Sequence, residues 1–175
     1  FKELDEEVNN HFDSAFYLGY MHLIGKGTNE NEKLAFKYFK KYSISESSKS
    51  YLWLGRCYYY GWGTKQNKKK GIEILEKSSN QIENNENFYQ RLAKEDLGEI
   101  FYKDENYYDF NKSVKYYKEA IILGSIDSQL ELGKLYYFSE ETNENNNEAF
   151  KWFKKACDNN ILEANFYLGE SYARG

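Results

Sequence analysis

The chain has 175 residues, contains no proline, and carries a formal net charge of −4 from 24 basic and 28 acidic residues. Aromatic residues make up 19% of the chain, which is too large a share for a disordered protein. The mild acidic balance disfavours nucleic acid as the main ligand, because phosphate binding needs a basic surface. No apolar run approaches the roughly 18 residues that a membrane-spanning helix needs, so direct membrane insertion of this segment is not expected.

In chain order, residues 1–12 are predicted to be the remnant of a helix that belongs to a preceding repeat. The chain opens with Phe1 rather than methionine, so we expect it to be a fragment of a longer protein. A single array of repeats is predicted to follow. The repeats span about 13–47, 48–84, 85–125 and 126–160, and a partial repeat covers 161–175.

The second repeat shows the underlying pattern most clearly. Leu54, Gly55 and Tyr58 lie on one face of a predicted helix. A glycine inside a helix costs about 1 kcal/mol relative to alanine, so Gly55 indicates a close approach by a second helix. Gly61 and Gly63 follow that helix and can supply the positive φ angles of a tight reversal. The stretch is therefore predicted to be a hairpin of two helices.

The same features recur along the chain at nearly constant spacing. A leucine–glycine pair recurs at intervals of 35 to 43 residues, and an aromatic or histidine ring follows three residues later. The five glycines are Gly19, Gly55, Gly98, Gly133 and Gly169. A second small residue follows about 16 residues after the first four glycines, at Ala35, Gly71, Ser113 and Ala149. This recurrence predicts an all-α fold of tandem helix-turn-helix repeats.

Two segments depart from the pattern. An insertion of about seven residues after the second repeat is predicted to form a longer loop or an extended helix. The third repeat has no glycine loop, and the fourth replaces it with the polar tract SEETNENNN. That tract is predicted to be a mobile loop.

The motif A-x-x-L-G followed by G-x-G, and then A-x-x-W-F-x-K-A, is similar to the Sel-one-like repeat, a branch of the tetratricopeptide superfamily. It is seen at 15–19, at Gly25 and Gly27, and at 149–156. An ordinary tetratricopeptide array is the alternative, but the spacings of 35 to 36 residues and the glycine loops favour the Sel-one-like branch. The resemblance implies a right-handed α-solenoid whose first helices line a concave groove. It also implies an adaptor that holds partner proteins and has no catalytic residues.

The face of each first helix opposite its packing stripe is the candidate binding surface. Its positions lie two before and one, four and five after each glycine, with Leu52 and Leu130 assigned to its edge. Aromatic residues and arginine are the side chains that most often anchor protein interfaces. The alternative is that these rings fill the core between neighbouring helices. The candidate residues are Tyr20, Ile24, Arg56, Tyr59, Tyr60, Tyr102, Lys103, Lys134, Tyr137 and Phe138.

No catalytic or cofactor motif is found in the sequence, so neither an enzymatic activity nor a cofactor is expected. His11 and His22 are the only histidines, and neither has further ligands at metal-site spacing. Cys57 and Cys157 are 100 residues apart and are predicted to be free thiols, which fits a reducing compartment. We expect a cytoplasmic location, with the lumen of the endoplasmic reticulum as the alternative if the parent protein is a degradation-complex adaptor.

The predicted function is a non-catalytic scaffold that binds a peptide or helix of a partner protein along the groove. One alternative is an RNA-binding helical repeat in which rings stack on bases. Another is a purely structural array that spaces domains or dimerises, so an oligomer is also considered. The acidic charge balance argues against RNA.

Overall fold

A computed structural model of the chain describes residues 14–81, 87–139 and 142–174. The predicted remnant helix at 1–12 lies outside these residues, as does part of the insertion after the second repeat. Within the described ranges all regular secondary structure is helical. The helices are α1 (residues 14–24), α2 (Glu32–Tyr42), α3 (Ser48–Tyr60), α4 (Lys68–Asn80), α5 (Asn87–Lys103), α6 (Phe110–Ile122), α7 (Asp127–Tyr137), α8 (Asn143–Asp158) and α9 (Leu162–Arg174), and a 3₁₀ turn at Ser43–Ser45 follows α2.

Helices α1 to α8 form four successive hairpins, and α9 occupies the place of a first helix in a further repeat. The second helix of each hairpin starts at a residue whose side-chain oxygen accepts a hydrogen bond from the backbone N–H three residues later. Such N-caps satisfy an amide that has no partner within the helix. The capping residues are Asn31, Asn67, Asp109 and Thr142. The helix starts are therefore encoded by single polar residues that recur with the repeat.

In each hairpin, a glycine of the first helix packs against a large side chain of the second helix. A Cβ atom added to Gly55 would lie 2.8 Å from Cγ of Leu75. On the opposite helix, a Cβ added to Gly71 would lie 2.6 Å from the backbone nitrogen of Tyr59. The close helix approach predicted at Gly55 is thus confirmed. In the other hairpins the corresponding side chains are Phe39 over Gly19, Tyr117 over Gly98 and Phe153 over Gly133.

The turns of the first two hairpins have the predicted backbone geometry. Gly61 and Gly63 have φ angles of +86° and +65°, and Gly25 and Gly27 in the first repeat are similar. A hydrogen bond of 2.7 Å from the Asn67 amide to the Tyr58 carbonyl then ties the start of α4 to the end of α3. The ring position three residues after the glycine therefore also supplies the carbonyl that closes the turn.

The polar tract of the fourth repeat differs from its prediction. Asn143 to Asn147 form the start of α8, so the predicted loop is wrong for these residues. The reason is local, because Thr142 caps the helix by accepting a hydrogen bond of 3.1 Å from the Asn145 amide.

In the insertion after the second repeat, α5 is 17 residues long and α3 is 13, which agrees with the extended helix that was one of the two predicted forms.

The chain divides into two compact units, Phe1–Ala93 and Lys94–Gly175. The core of the first unit includes Ala35, Phe39 and Cys57, none of which is accessible to solvent. The second unit has a separate core built mainly by α7 and α8. Each unit thus buries the apolar stripes of its own hairpins.

Candidate partner-binding surfaces

In the first unit, the candidate residues lie at different depths. Tyr20, Ile24 and Tyr60 are 37%, 46% and 46% exposed, so their side chains are available to a partner. Arg56 is half-buried, whereas Tyr59 is buried. Four of the five residues thus present at least part of a side chain to solvent.

In the second unit, the candidate residues divide in the same way. Phe138 is 61% exposed and Lys103 is exposed, while Tyr102 is half-buried. Lys134 is held by ion pairs, and its side chain is only 16% exposed. Tyr137 is buried in the core of this unit.

The exposure expected of Tyr59 and Tyr137 is therefore wrong. Both residues stand four positions after the repeat glycine, which places them on the same face as that glycine, toward the second helix. Tyr59 lies directly over Gly71, and the Tyr137 ring packs 5.9 Å from the Phe153 ring. The two leucines assigned to the edge of the face, Leu52 and Leu130, are buried as well.

The first unit carries two groups of side chains, mostly rings, that we together call the aromatic surface. Trp53, Arg56 and Tyr60 follow at i, i+3 and i+7 on α3, so they share one side of that helix. The Arg56 guanidinium lies 5.2 Å from the Trp53 ring centre, and the Tyr20 ring packs edge-on against Trp53 at 5.3 Å. In the second group, Trp62 stacks on Tyr60 at 4.9 Å. The aromatic surface comprises Tyr20, Trp53, Arg56, Tyr60 and Trp62.

Sequence analysis missed Trp53 and Trp62, which are partly exposed and pack against the core of the first unit. Trp53 stands two positions before Gly55, which is one of the positions that the pattern assigns to the open face. Trp53 was overlooked because the neighbouring Leu52 was assigned to the edge of that face instead. The indole nitrogen of Trp53 is buried and has no hydrogen-bond partner within the described part of the chain.

The second unit presents charge where the first presents rings. Lys103 of α5 bonds Glu99 at 2.9 Å and reaches Glu131 of α7 at 3.7 Å. Lys134 of α7 lies 3.0 Å from Glu131 and 2.7 Å from Glu163 of α9. These residues form an ion-pair ladder across three successive first helices.

The ladder keeps both lysines charged. The hydrogen bond to Glu99 raises the pKa of Lys103. Burial lowers the pKa of Lys134, but its hydrogen bonds to Glu163 and Glu131 outweigh that effect, so the net change is upward. Since Glu99, Glu163 and Lys103 are exposed, we assign the pairs little net stability, on the order of 0–1 kcal/mol each.

A groove of about 300 Å³ adjoins the ladder, and we call it the acidic groove. Five carboxylates and one ammonium group face it. The Tyr117 side chain also lines it, and the hydroxyl of Tyr117 has no hydrogen-bond partner in the described part of the chain. The lining residues are Glu95, Asp96, Glu99, Lys103, Tyr117, Asp127, Ser128 and Glu131.

Neither a metal site nor a membrane-spanning helix is found among the described residues. No group of histidine, cysteine, aspartate and glutamate side chains within residues 14–81, 87–139 and 142–174 is arranged to hold a metal ion. Among the described helices, none is both long enough and apolar enough to cross a bilayer.

The two cysteines are expected to react at different rates. Burial, with a smaller effect from the charge of Glu32, raises the pKa of the Cys57 thiol to about 12. Cys157 is free as well but only half-buried. Because the thiolate is the nucleophile, iodoacetamide at pH 8 should alkylate Cys157 first and Cys57 only after unfolding in urea. Peptide mass spectrometry over a time course measures both rates, and equal rates in the folded protein would contradict the burial of Cys57.

The described chain is built from repeated hairpins of paired helices, and the first helix of each hairpin presents side chains to solvent. This arrangement defines an all-α repeat protein of the α-solenoid class. A family model described as Sel1 repeat matches residues 12–41, 48–81, 91–125 and 126–161. These ranges cover well over half of the sequence, so the chain belongs to the Sel1 repeat family. The resemblance to the Sel-one-like repeat is therefore confirmed.

A solved structure of a Sel1 repeat protein is similar in fold. The chain is 18% identical to a Sel1 repeat protein from Oxalobacter formigenes with a TM-score of 0.74, over 93% of this chain and 62% of that one. It is 20% identical to c5321, a protective antigen present in uropathogenic Escherichia coli strains displaying an SLR fold, with a TM-score of 0.49, over 94% of this chain and 42% of the antigen. The chain thus spans less than two thirds of either structure. The comparison with curated proteins gives no match.

Proposed function

We propose that this chain is a non-catalytic scaffold that binds a peptide or helix of a partner protein through the outer side chains of its first helices. Sel1 repeats typically mediate protein interactions, and this supports the class of function. The observation that carries the proposal for this chain is the aromatic surface of the first unit.

The composition of the aromatic surface suits an interface. Tryptophan, tyrosine and arginine are the residues that most often dominate binding energy, because they combine a large apolar area with a polar group. Tyr60 is 46% exposed although it belongs to a helix whose other face is fully packed. A partner that covered Tyr60 and Trp62 would bury apolar area that water now contacts.

Substitution of Tyr60 tests the proposal. Tyr60→Ala is expected to weaken binding of a captured partner about tenfold, which corresponds to about 1.4 kcal/mol, because it removes a central ring of the surface. Its melting temperature should stay close to that of the unmodified chain, since the ring is partly exposed. Tyr108→Ala is the matched control, because Tyr108 is 54% exposed but lies outside the aromatic surface.

The experiment has two stages. Affinity isolation with mass spectrometry compares the proteins retained by the unmodified chain, by Tyr60→Ala and by Tyr108→Ala. The affinity of a selectively lost protein is then measured by calorimetry at several salt concentrations. If no protein depends on Tyr60, the proposal fails. A steep salt dependence together with co-isolated RNA would favour the RNA-binding alternative instead.

A further inference from the structure

Tyr117 differs from the residues at the same position of the other repeats. The side chain four residues after the second small residue covers the repeat glycine, and it is Phe39, Leu75 and Phe153 in the other three repeats. In the third repeat Tyr117 does the same, with its ring 2.7 Å from where a Cβ on Gly98 would stand. Packing over the glycine is thus achieved by side chains without a hydroxyl, so it does not explain the Tyr117 oxygen.

The Tyr117 hydroxyl is buried beside negative charge. Tyr117 is one of the residues that line the acidic groove and is 2% exposed, and its buried hydroxyl has no hydrogen-bond partner in the described part of the chain. Burial, together with the charges of Glu131 and Glu99, raises the pKa of Tyr117, so the phenol stays neutral. A buried polar group without a partner is rare in folded proteins and calls for an explanation. A bound ligand that hydrogen-bonds to the oxygen supplies one.

The charge of the groove determines whether a cationic or an anionic ligand is favoured there. Five carboxylates line the groove together with one lysine, Lys103, which bonds Glu99 at 2.9 Å and lies 3.7 Å from Glu131. Lys134 lies 3.0 Å from Glu131 without lining the groove, so negative charge still predominates there. A cation is attracted to this arrangement and an anion is repelled. A phosphate-rich partner such as RNA is therefore disfavoured at this place.

We infer that the acidic groove of the second unit receives an arginine side chain of a partner protein, whose guanidinium donates to the groove carboxylates and to the Tyr117 oxygen. Arginine fits because its planar group carries five donors and is more weakly hydrated than an ammonium group. The carboxylates of the groove and the phenol oxygen are all able to accept. The inference rests on the proposed function, since it names what the partner contributes at one place.

The test uses the intact 175-residue chain and a short Gly-Ser peptide that contains one arginine. The control peptide is identical except for citrulline, which keeps the shape of arginine and lacks its charge. Amide chemical shifts of Asp127 and Ser128 report occupancy of the groove. We expect saturable shifts with the arginine peptide that weaken as salt is added, and none with the citrulline peptide.

Variants distinguish an effect on binding in the groove from an effect on folding. Tyr117→Phe should weaken the arginine peptide at least fivefold without lowering the melting temperature, because it removes only an unpartnered hydroxyl and leaves the ring in place. Lys103→Gln should strengthen binding at least twofold, since it removes the competing ammonium group. Tyr172→Phe is the matched control, because Tyr172 is 68% exposed on α9 and lies outside the groove, and its affinity should equal that of the unmodified chain.

Equal shifts with both peptides, or equal affinity in Tyr117→Phe, would overturn the inference. Its failure can be told apart from failure of the proposed function. A partner that depends on Tyr60 but not on Tyr117, together with no arginine binding, overturns the groove assignment alone. Arginine binding in the groove with no protein dependent on Tyr60 supports the groove and overturns the scaffold role of the aromatic surface.

Discussion

Gly63→Ala is expected to lower the free energy of unfolding by about 3 kcal/mol. The new Cβ would overlap the carbonyl group of Glu32 at the start of α2. The φ angle of Gly63 is +65°, which L side chains rarely adopt. Steric overlap and backbone strain therefore add. Urea denaturation followed by circular dichroism measures the loss.

Gly124→Ala separates the two contributions to the Gly63 effect. Gly124 also has a positive φ, of +90°, but a Cβ added there meets nothing within 4 Å. Only the backbone strain applies, so we expect a loss of about 1 kcal/mol. If both variants lost the same stability, the close approach of Gly63 to Glu32 would not be what makes a side chain intolerable there.

Gly71→Ala is expected to cost a similar amount, about 3 kcal/mol, for a different reason. Gly71 is inside α4, where alanine would normally be favoured over glycine. The added Cβ would lie 2.6 Å from the backbone nitrogen of Tyr59, however, and 2.8 Å from its Cα. Because a backbone cannot rotate away as a side chain can, α3 and α4 would have to move apart. The same denaturation experiment, with a melting curve, measures this loss.

Gly169→Ala is the matched control for Gly71→Ala. Gly169 is also a helical glycine, in α9, and a Cβ added there has no neighbour within 4 Å. The substitution should therefore leave stability unchanged or raise it by up to about 1 kcal/mol through helix propensity alone. A loss at Gly169 comparable to that at Gly71 would show that close packing against Tyr59 is not the cause.

The hairpins could be predicted from the sequence because the relevant signals are local. A glycine in a helical stripe, a ring three residues later and two glycines at the turn each need only near neighbours to be interpreted. The structure places Gly55 against Leu75 and gives Gly61 and Gly63 their positive φ angles, as expected. The same local reasoning misjudged the polar tract before Ala149, because the single cap at Thr142 starts a helix there.

The exposure of the candidate residues was harder to predict, because it depends on which side of each first helix faces its neighbours. Tyr59 and Tyr60 are adjacent in sequence, yet one is 7% and the other 46% exposed. Composition cannot separate two neighbouring tyrosines. Only the path of the second helix, which brings Gly71 against Tyr59, decides which ring it covers.

The sequence by itself determined the repeat, the close crossing of each helix pair and the glycine turns, because these follow from residue spacing and from backbone conformations that few residues can adopt. Only the tertiary structure decided that Lys134 bridges Glu131 and Glu163, and that Tyr117, whose hydroxyl is buried, lines a groove with five carboxylates. Lys134 and Glu163 belong to α7 and α9, and the groove residues come from α5, α6 and α7. Their meeting depends on how successive hairpins stack, and no local pattern records that.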